Sequence, residues 1–327
     1  MRAALLWITE SGKIRCNVCA RMCLIGLDEA GYCKVRVNKK NALITKNFGK
    51  ITGIGYSKIE EHNFFHFYPG SKTIHVSSFG ESIYDPFIEK PDKSEKEKMT
   101  PEDLIKLANQ KGVKLITFTG SEPTIFFEFA YRVARLAKRY NIKTTFVTNG
   151  YITSEAVKKI GKYLDAVNVH VTASADPEFY KKHFDGADVE QIFIALKAFK
   201  KHRVFTEVSN TIIPEVGEDF VMNQKLVEWI VNKLGSSIPY HLLPAHPVPK
   251  FDYSETSVET LDEFASRSAK MGMRYVYVSG AFGSDYENTS CYNCGNEIIT
   301  RVGSVFTNIN INGDRCPNCG FKISVMK

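Results

Sequence analysis

No apolar run in this chain reaches the roughly 18 residues that a membrane-spanning helix needs, so an integral helical membrane protein is excluded. The Ala-Ala-Leu-Leu-Trp stretch at residues 3–7 is too short for a signal-peptide core and meets Glu10 at once. A soluble, cytoplasmic protein is the expectation. The more telling gap is internal. Between Cys33 and Cys291 there is no cysteine, so the middle of the chain has no thiolate with which to bind a metal cluster.

What is present reads as a folded globule. The 327 residues are 43% hydrophobic and 24% charged, ordinary for a domain with one large core and room for small appendages. The 22 Phe and 15 Tyr read as core before they read as a binding surface. Lys+Arg number 43 against 36 Asp+Glu, a net charge of +7 spread along the sequence rather than gathered in a tail. That balance permits an anionic ligand or RNA without implying one. The Lys- and Ile-rich composition leans toward a thermophile.

All eight cysteines fall into two groups. Cys16, Cys19, Cys23 and Cys33 are spaced C-x2-C-x3-C-x9-C, and Cys291, Cys294, Cys316 and Cys319 are spaced C-x2-C-x21-C-x2-C. Paired C-x2-C knuckles bring four thiolates onto one tetrahedral ion, and Gly295 and Gly320 stand where each knuckle must turn. The C-terminal set therefore reads as a structural Zn2+ site. The N-terminal set fits zinc through all four thiolates, or an iron–sulfur centre through its C-x2-C-x3-C core.

From residue 73, short β-branched or aromatic runs alternate with amphipathic stretches. Strands are expected at 73–78, 114–119, 144–148, 166–171, 204–209 and 238–243, with helices at 101–112, 125–140, 153–163, 188–202 and 222–234. Strand, helix, strand in regular succession builds parallel sheet through right-handed crossovers. Six strands are too few for a closed eightfold barrel, so the expected class is α/β, a partial (β/α)6 TIM-like barrel. The expected boundaries are a metal-binding region at 1–70, the barrel at 71–255 and a second metal-binding region at 256–327. A further helix at 256–272 and the strand in "MRYVYVSGAFG" could extend the sheet or belong to the C-terminal region. The charged segment 89–100 reads as a solvated loop or a lid, ended by Thr100-Pro101-Glu102-Asp103, a strong helix start.

Polar residues recur at strand ends, where parallel barrels bind ligands. "TGSEP" places Gly120, Ser121 and Glu122 after one strand, and "VTNGY" places Asn149 and Gly150 after the next. His170 and Thr172 follow, then Glu207, Ser209 and Asn210, then His241 and His246. Any one of these histidines is more often a packing residue than a catalytic one.

The ordered set resembles a known family. "CNVCARMCLIGLDEAGYCKVRVN" and "HFYPGSKTIHVSSFG" resemble segments of the radical S-adenosylmethionine (radical SAM) enzyme of the AmmeMemoRadiSam system, a relative of pyruvate formate-lyase activating enzymes. "TGSEP" is similar to that family's Gly-Gly-Glu-Pro motif, and "VTNGY", "DAVNVHVTA", "TIIP" and "IPYH" follow in family order. The resemblance implies S-adenosylmethionine as cofactor, with Gly120, Ser121, Glu122, Asn149, Thr172 and Ser209 as its contacts. It also implies a C-x3-C-x2-C loop holding a [4Fe-4S] cluster. Here those three positions carry Glu81, Asp85 and Ile88, which offer no thiolate and, at the last, no donor atom. Ser121 replaces a family glycine, and His170, Val171 and Thr172 replace Asp-Leu-Lys.

The expectation is thus an S-adenosylmethionine-binding transferase, methyl being the expected group, that has no radical SAM cluster and uses His170 or His246 as base. Its substrate, a small molecule or a protein, is open. Two other readings stand beside it: a non-catalytic module binding protein or RNA, and a metal or redox enzyme using either the N-terminal cysteines or Glu81, Asp85 and His75.

Overall fold

Eight strands form the central sheet, seven of them parallel. In chain order the parallel strands are Lys72–Ser77, Leu115–Phe118, Lys143–Thr148, Ala166–Thr172, Phe205–Ile212, Tyr240–Pro244 and Val276–Val278, and each pairs with the next. Gly53–Lys58 adds an antiparallel strand outside the first. The computed structural model describes residues 2–88, 94, 97–249, 251 and 253–327. Most of the charged segment 89–100, and with it the lid reading, lies outside the described residues.

All six expected strands are present within two residues of their expected ends, except that the fifth runs on to Ile212. Helices α1 (Pro101–Gln110), α2 (Phe127–Ala137), α3 (Ser154–Ile160), α4 (Pro177–His183), α5 (Glu190–Lys201), α6 (Phe220–Trp229) and α7 (Val258–Lys270) lie along the crossovers. The sequence reading passed over α4, which Asp176 caps and Pro177 opens. The start of α1 is as expected: Thr100 Oγ1 accepts from the Asp103 amide at 3.1 Å while Asp103 accepts from the Thr100 amide at 2.9 Å. Helix α7 and Val276–Val278 continue the barrel, since that strand pairs with Tyr240–Pro244. Of the region beyond residue 255, α7 and Val276–Val278 thus extend the main sheet, adding a seventh parallel strand to the six expected, while Thr289–Ser290, Glu297–Val302 and Val305–Ile309 form a separate antiparallel sheet.

The N-terminal region packs onto the same core. Ala4, Ile14, Cys16 and Ile25 share a buried cluster with Ile116, Phe126 and Phe146 of the barrel. Buried Arg36 pairs with buried Glu128 of α2, donates to the Leu5 carbonyl at 3.0 Å and reaches Cys16 Sγ at 3.7 Å. A charge pair this deep persists only when its partners compensate the lost water.

The lower end of the barrel is plugged by residues 59–68. Glu207 accepts from the amides of Phe65, His66 and Phe67 at 3.0, 3.0 and 3.2 Å and meets His241 Nε2 at 2.8 Å. Burial pushes its carboxyl up, but the hydrogen bond to His241 and the neighbouring donors hold it below the usual value. Beneath it, His66 bonds Tyr277 at 2.6 Å and the Ser324 carbonyl at 2.7 Å, and Arg301 donates to the Phe65 carbonyl at 2.8 Å. These contacts dock the C-terminal strands Thr289–Ser290, Glu297–Val302 and Val305–Ile309 against the plug.

Burial lowers His66 to about 4, below its unfolded value of about 6.5. As pH falls through that interval the unfolded chain binds a proton that the folded chain refuses, so stability present above pH 6.5 drains toward pH 4. The expected loss is on the order of 3 kcal/mol from this residue, read as a falling thermal midpoint. Glu207 adds a further loss below its unfolded carboxylate value. The His66→Gln variant should show a shallower decline; an identical profile would remove His66 as its source.

Candidate functional site

Four strand ends enclose a cavity of 340 Å³ at the upper mouth. The loop after Lys72–Ser77 contributes Glu81, Ile83, Asp85 and Ile88. The turn after Leu115–Phe118 contributes Thr119, Gly120, Ser121 and Glu122. Val147 and Asn149 come from the third strand and its turn, and His170 and Thr172 from the fourth. Glu81, Asp85 and Ile88, the positions that the resemblance sets against cluster cysteines, thus face the same space as the Gly-Ser-Glu-Pro turn. No cysteine lines it.

Glu122 ties two of these turns together. Its Oε1 accepts from the Thr124 amide at 2.9 Å and the Thr148 hydroxyl at 2.8 Å, and its Oε2 from the Asn149 amide at 3.1 Å. Burial raises its pKa above the usual carboxylate value against the pull of these donors. A carboxylate has about four lone-pair sites, so Oε2 retains capacity for one more donor. Gly120 has φ +71°, and a Cβ there would stand 3.2 Å from Ser77 Cβ, so the turn needs glycine for both conformation and space.

The loop above is held by hydrogen bonds. The Ser78 amide donates to Ser121 Oγ at 2.9 Å, and Ser82 and Asn149 exchange side-chain bonds at 3.1–3.2 Å. Arg21, from the first cysteine motif, donates to the Ser82 carbonyl and the Asp185 carbonyl, each at 3.0 Å, with its guanidinium 4.1 Å from the Tyr32 ring centre. Phe87 stacks between Phe179 and Phe251 at 5.3 and 4.4 Å.

On the far wall, Ala173, Ser174 and Ala175 all have φ between +48° and +56°. Three successive non-glycine residues in the left-handed region cost about 1–2 kcal/mol each. Asn210 offsets part of this by accepting from the Ser174 amide at 2.9 Å and donating to Ser174 Oγ at 3.0 Å. The turn brings α4 over the pocket, where Tyr180 OH accepts from the Thr172 amide at 3.2 Å. Tyr180 and Phe184 line the cavity and were missed from sequence, although the Asp176-Pro177 start of their helix was legible.

Of the expected site residues, Gly120, Ser121, Glu122, Asn149, His170 and Thr172 are brought together. Ser209 is not: it is fully buried one layer below, donating to Asn168 at 2.9 Å. The strand outran its expected end, so Thr211 occupies the rim position and bonds His170 Nε2 at 2.7 Å. His246 is 68% exposed, pairs with Glu255 at 3.0 Å and does not line the cavity. Glu207, two residues before Ser209 on the same strand, and His241, near the start of the next, belong to the lower plug, where they bond each other at 2.8 Å. His75 does not join Glu81 and Asp85; it bonds Ser57 at 3.0 Å and meets the His62 ring edge-on at 5.4 Å. Burial lowers His170 to about 4, so its imidazole is neutral at pH 7.

The two cysteine groups differ. Among the described residues, Cys291, Cys294, Cys316 and Cys319 form the set of metal-type ligand atoms that all lie within 4.8 Å of one another. Sγ separations of 3.6 and 3.7 Å match the roughly 3.8 Å expected around a tetrahedral ion with metal–sulfur bonds near 2.3 Å. Both knuckles close with glycine amides, Gly295 to Cys291 at 2.8 Å and Gly320 to Cys316 at 2.9 Å. An Asn318 amide bond is the first cause drawing Cys294 down to about 6, toward the thiolate form that binds metal. The N-terminal thiols do not reach that spacing. Their loop is instead fastened to the mouth, with Ala20 donating to the Tyr151 carbonyl at 3.1 Å.

Comparison with known proteins accords with this architecture. The family model described as the Radical SAM superfamily matches residues 77–227. Uncharacterized protein MJ0808 of Methanocaldococcus jannaschii is 30% identical over 327 residues, 97% of each chain. The (2S)-3-sulfopropanediol dehydratase activating enzyme of Klebsiella oxytoca is 25% identical over 125 residues, 38% of each chain. Among solved structures, a radical SAM methyltransferase from Sphaerobacter thermophilus shares the fold with a TM-score of 0.53 at 17% identity, over 71% of each chain. The chain belongs to the radical SAM superfamily. No described helix is long and apolar enough to cross a membrane.

Replacing Cys294 and Cys319 together by serine is expected to remove one bound ion per chain, measured by elemental analysis, and to expose the segment after residue 288 to protease. An unchanged metal content would place the ion elsewhere.

Proposed function

We propose that this protein binds S-adenosylmethionine at the barrel mouth and transfers its methyl group by polar displacement, without the [4Fe-4S] cluster of its superfamily. Supporting this is one observation above the others: Glu81, Asp85 and Ile88 line the cavity beside Glu122 and Asn149. Two carboxylates and a hydrocarbon do not fit an iron–sulfur cluster, which takes thiolates.

The remaining residues fit the cofactor. The cavity lies within the 300–1,000 Å³ range of small-molecule sites. Ile83, Val147, Tyr180 and Phe184 give it apolar walls, and the free lone pair on Glu122 suits an ammonium donor. The sulfonium supplies an electrophilic methyl. In the displacement the acceptor's electron pair forms the new bond to carbon, the carbon–sulfur pair stays on sulfur as the neutral thioether, and the acceptor's proton leaves. His170 is the imidazole at the site, but its lowered proton affinity suits it to accept a hydrogen bond from the acceptor rather than to keep the proton, which passes to solvent. Orientation alone can lower such a barrier by roughly 7–11 kcal/mol. Zn2+ is the ion proposed for the C-terminal tetrad.

Calorimetry with S-adenosylmethionine and S-adenosylhomocysteine tests the pocket. Both should bind, and Glu122→Gln should weaken S-adenosylmethionine by at least about tenfold. Affinity should also fall as pH drops through the raised Glu122 pKa, because the bound ammonium needs the carboxylate. Absence of binding by either ligand would leave the non-catalytic reading in its place.

A second experiment addresses the loop. The triple variant Glu81→Cys, Asp85→Cys, Ile88→Cys, reconstituted without oxygen, is expected to hold about four more irons per chain than the native protein. Equal iron would show that these positions do not correspond to the cluster ligands. Release of 5'-deoxyadenosine by the reduced native protein would overturn polar transfer altogether.

A further inference from the structure

Charge that is dispersed in the sequence is concentrated in the fold. On the helical side of the barrel, away from the mouth, a cleft of 520 Å³ is lined by Arg2, Arg132, Arg135, Arg139 and Lys159. Arg132 and Arg135 lie on the exposed side of α2, and Arg139 follows, also exposed, in the single 3-10 turn Lys138–Tyr140 that continues it. None of the five is in an ion pair with a described residue. Glu102 and Glu128 also border the cleft, but Glu128 is already spent on Arg36.

A second basic cleft of 660 Å³ adjoins it, lined by Lys72, Lys111, Lys114, Lys143 and Lys327. Arg139 of the first and Asn141 of the second are two residues apart, at most about 7.6 Å between Cα atoms. In this second group Lys143 is shared with Asp165 at 3.5 Å.

Nine of these ten cations are in no ion pair with a described residue, and their crowding in two adjoining concavities raises the local potential and calls for a polyanion rather than one small anion. Aromatic rings are interleaved with them. Arg2 and Arg132 lie 5.2 and 5.7 Å from the Phe48 ring centre, and Arg135 and Lys159 lie 5.5 and 5.6 Å from that of Tyr131. Guanidinium planes and ring faces are the surfaces on which unpaired bases stack, while the charges follow the backbone. An acidic peptide would use the charges and leave the planar surfaces idle.

We propose that this arginine and lysine strip binds single-stranded RNA through its phosphodiester backbone. The site is separate from the mouth pocket and does not depend on the chemistry assigned there.

The test is fluorescence anisotropy of the full chain with a labelled oligouridine. Binding is expected, with log affinity falling against log salt at a slope near −3.5 if the five arginine-cleft cations each meet one phosphate, at about 0.7 per contact. The variant Arg132→Glu, Arg135→Glu, Arg139→Glu should bind at least about tenfold more weakly and with a flatter slope. The matched variant Lys197→Glu, Lys225→Glu, Lys270→Glu, with exposed lysines on α5, α6 and α7, should stay within about twofold of native. Both should keep the native thermal midpoint. No binding at low salt, equal loss in both variants, displacement by ATP at the site's own affinity, or equal binding of polyglutamate would each overturn the proposal.

Discussion

The carboxylate of Glu207 closes one end of the barrel. An open sheet of seven parallel strands has two ends, and unless one is sealed, water enters the interior and the polar strand residues have no reason to order. Glu207 gathers three consecutive backbone amides, Phe65 to Phe67, and the ring of His241 around a single buried charge. Consecutive amides converging on one anion need a tight chain reversal, so the plug is fixed in shape as well as position. The C-terminal strands then build on the plug through Arg301 and His66. With the floor fixed, ligand access is confined to the mouth, and the interior strand residues divide by height: Glu207 and Ser209 below, Thr211 at the rim.

That division decides which sequence-level assignments hold. Elements were legible because their periods are strong: β-branched runs for strands, a Thr-Pro-Glu-Asp start for α1, glycine after each C-terminal knuckle. The mouth residues in "TGSEP" and "VTNGY" were legible because a strand-to-helix turn with glycine marks a strand's upper end directly. Ser209 and Glu207 were misplaced because "EVSNTII" shows no turn signal until Pro214, and His241 because it stands near the start of its own strand, Tyr240–Pro244; alternation alone cannot give height along a strand. His246 follows a strand but leaves the rim, pairing with Glu255 in solvent. The charge strip was invisible for a different reason. Arg2, Arg132 and Lys159 are far apart in the chain, and only folding makes them neighbours.

The N-terminal cysteine motif also reads differently in context. Spacing pointed to metal chemistry, yet the visible work of this region is mechanical. Arg21, between two of its cysteines, reaches the Ser82 carbonyl and so steadies the loop that bears Glu81 and Asp85. Buried Arg36 and Glu128 join the same region to α2. A segment that looked like an appendage is thus one wall of the pocket's support.

In a loop that carries a metal cluster, the cluster itself cross-links three positions and sets the backbone between them. Removing the thiolates would ordinarily free that loop, and a pocket roofed by it would lose its shape. Here the loop is fastened by contacts of its own residues. Ser121 stands where the resembling motif has glycine, and its hydroxyl accepts the Ser78 amide at the loop's start. Ser82 and Asn149 bond one another at its middle, and Phe87 is held between two aromatic rings near its end. Each of these contacts acts on the loop itself. The mouth thus keeps its form through polar and aromatic contacts, as the polar displacement proposed above would require of it.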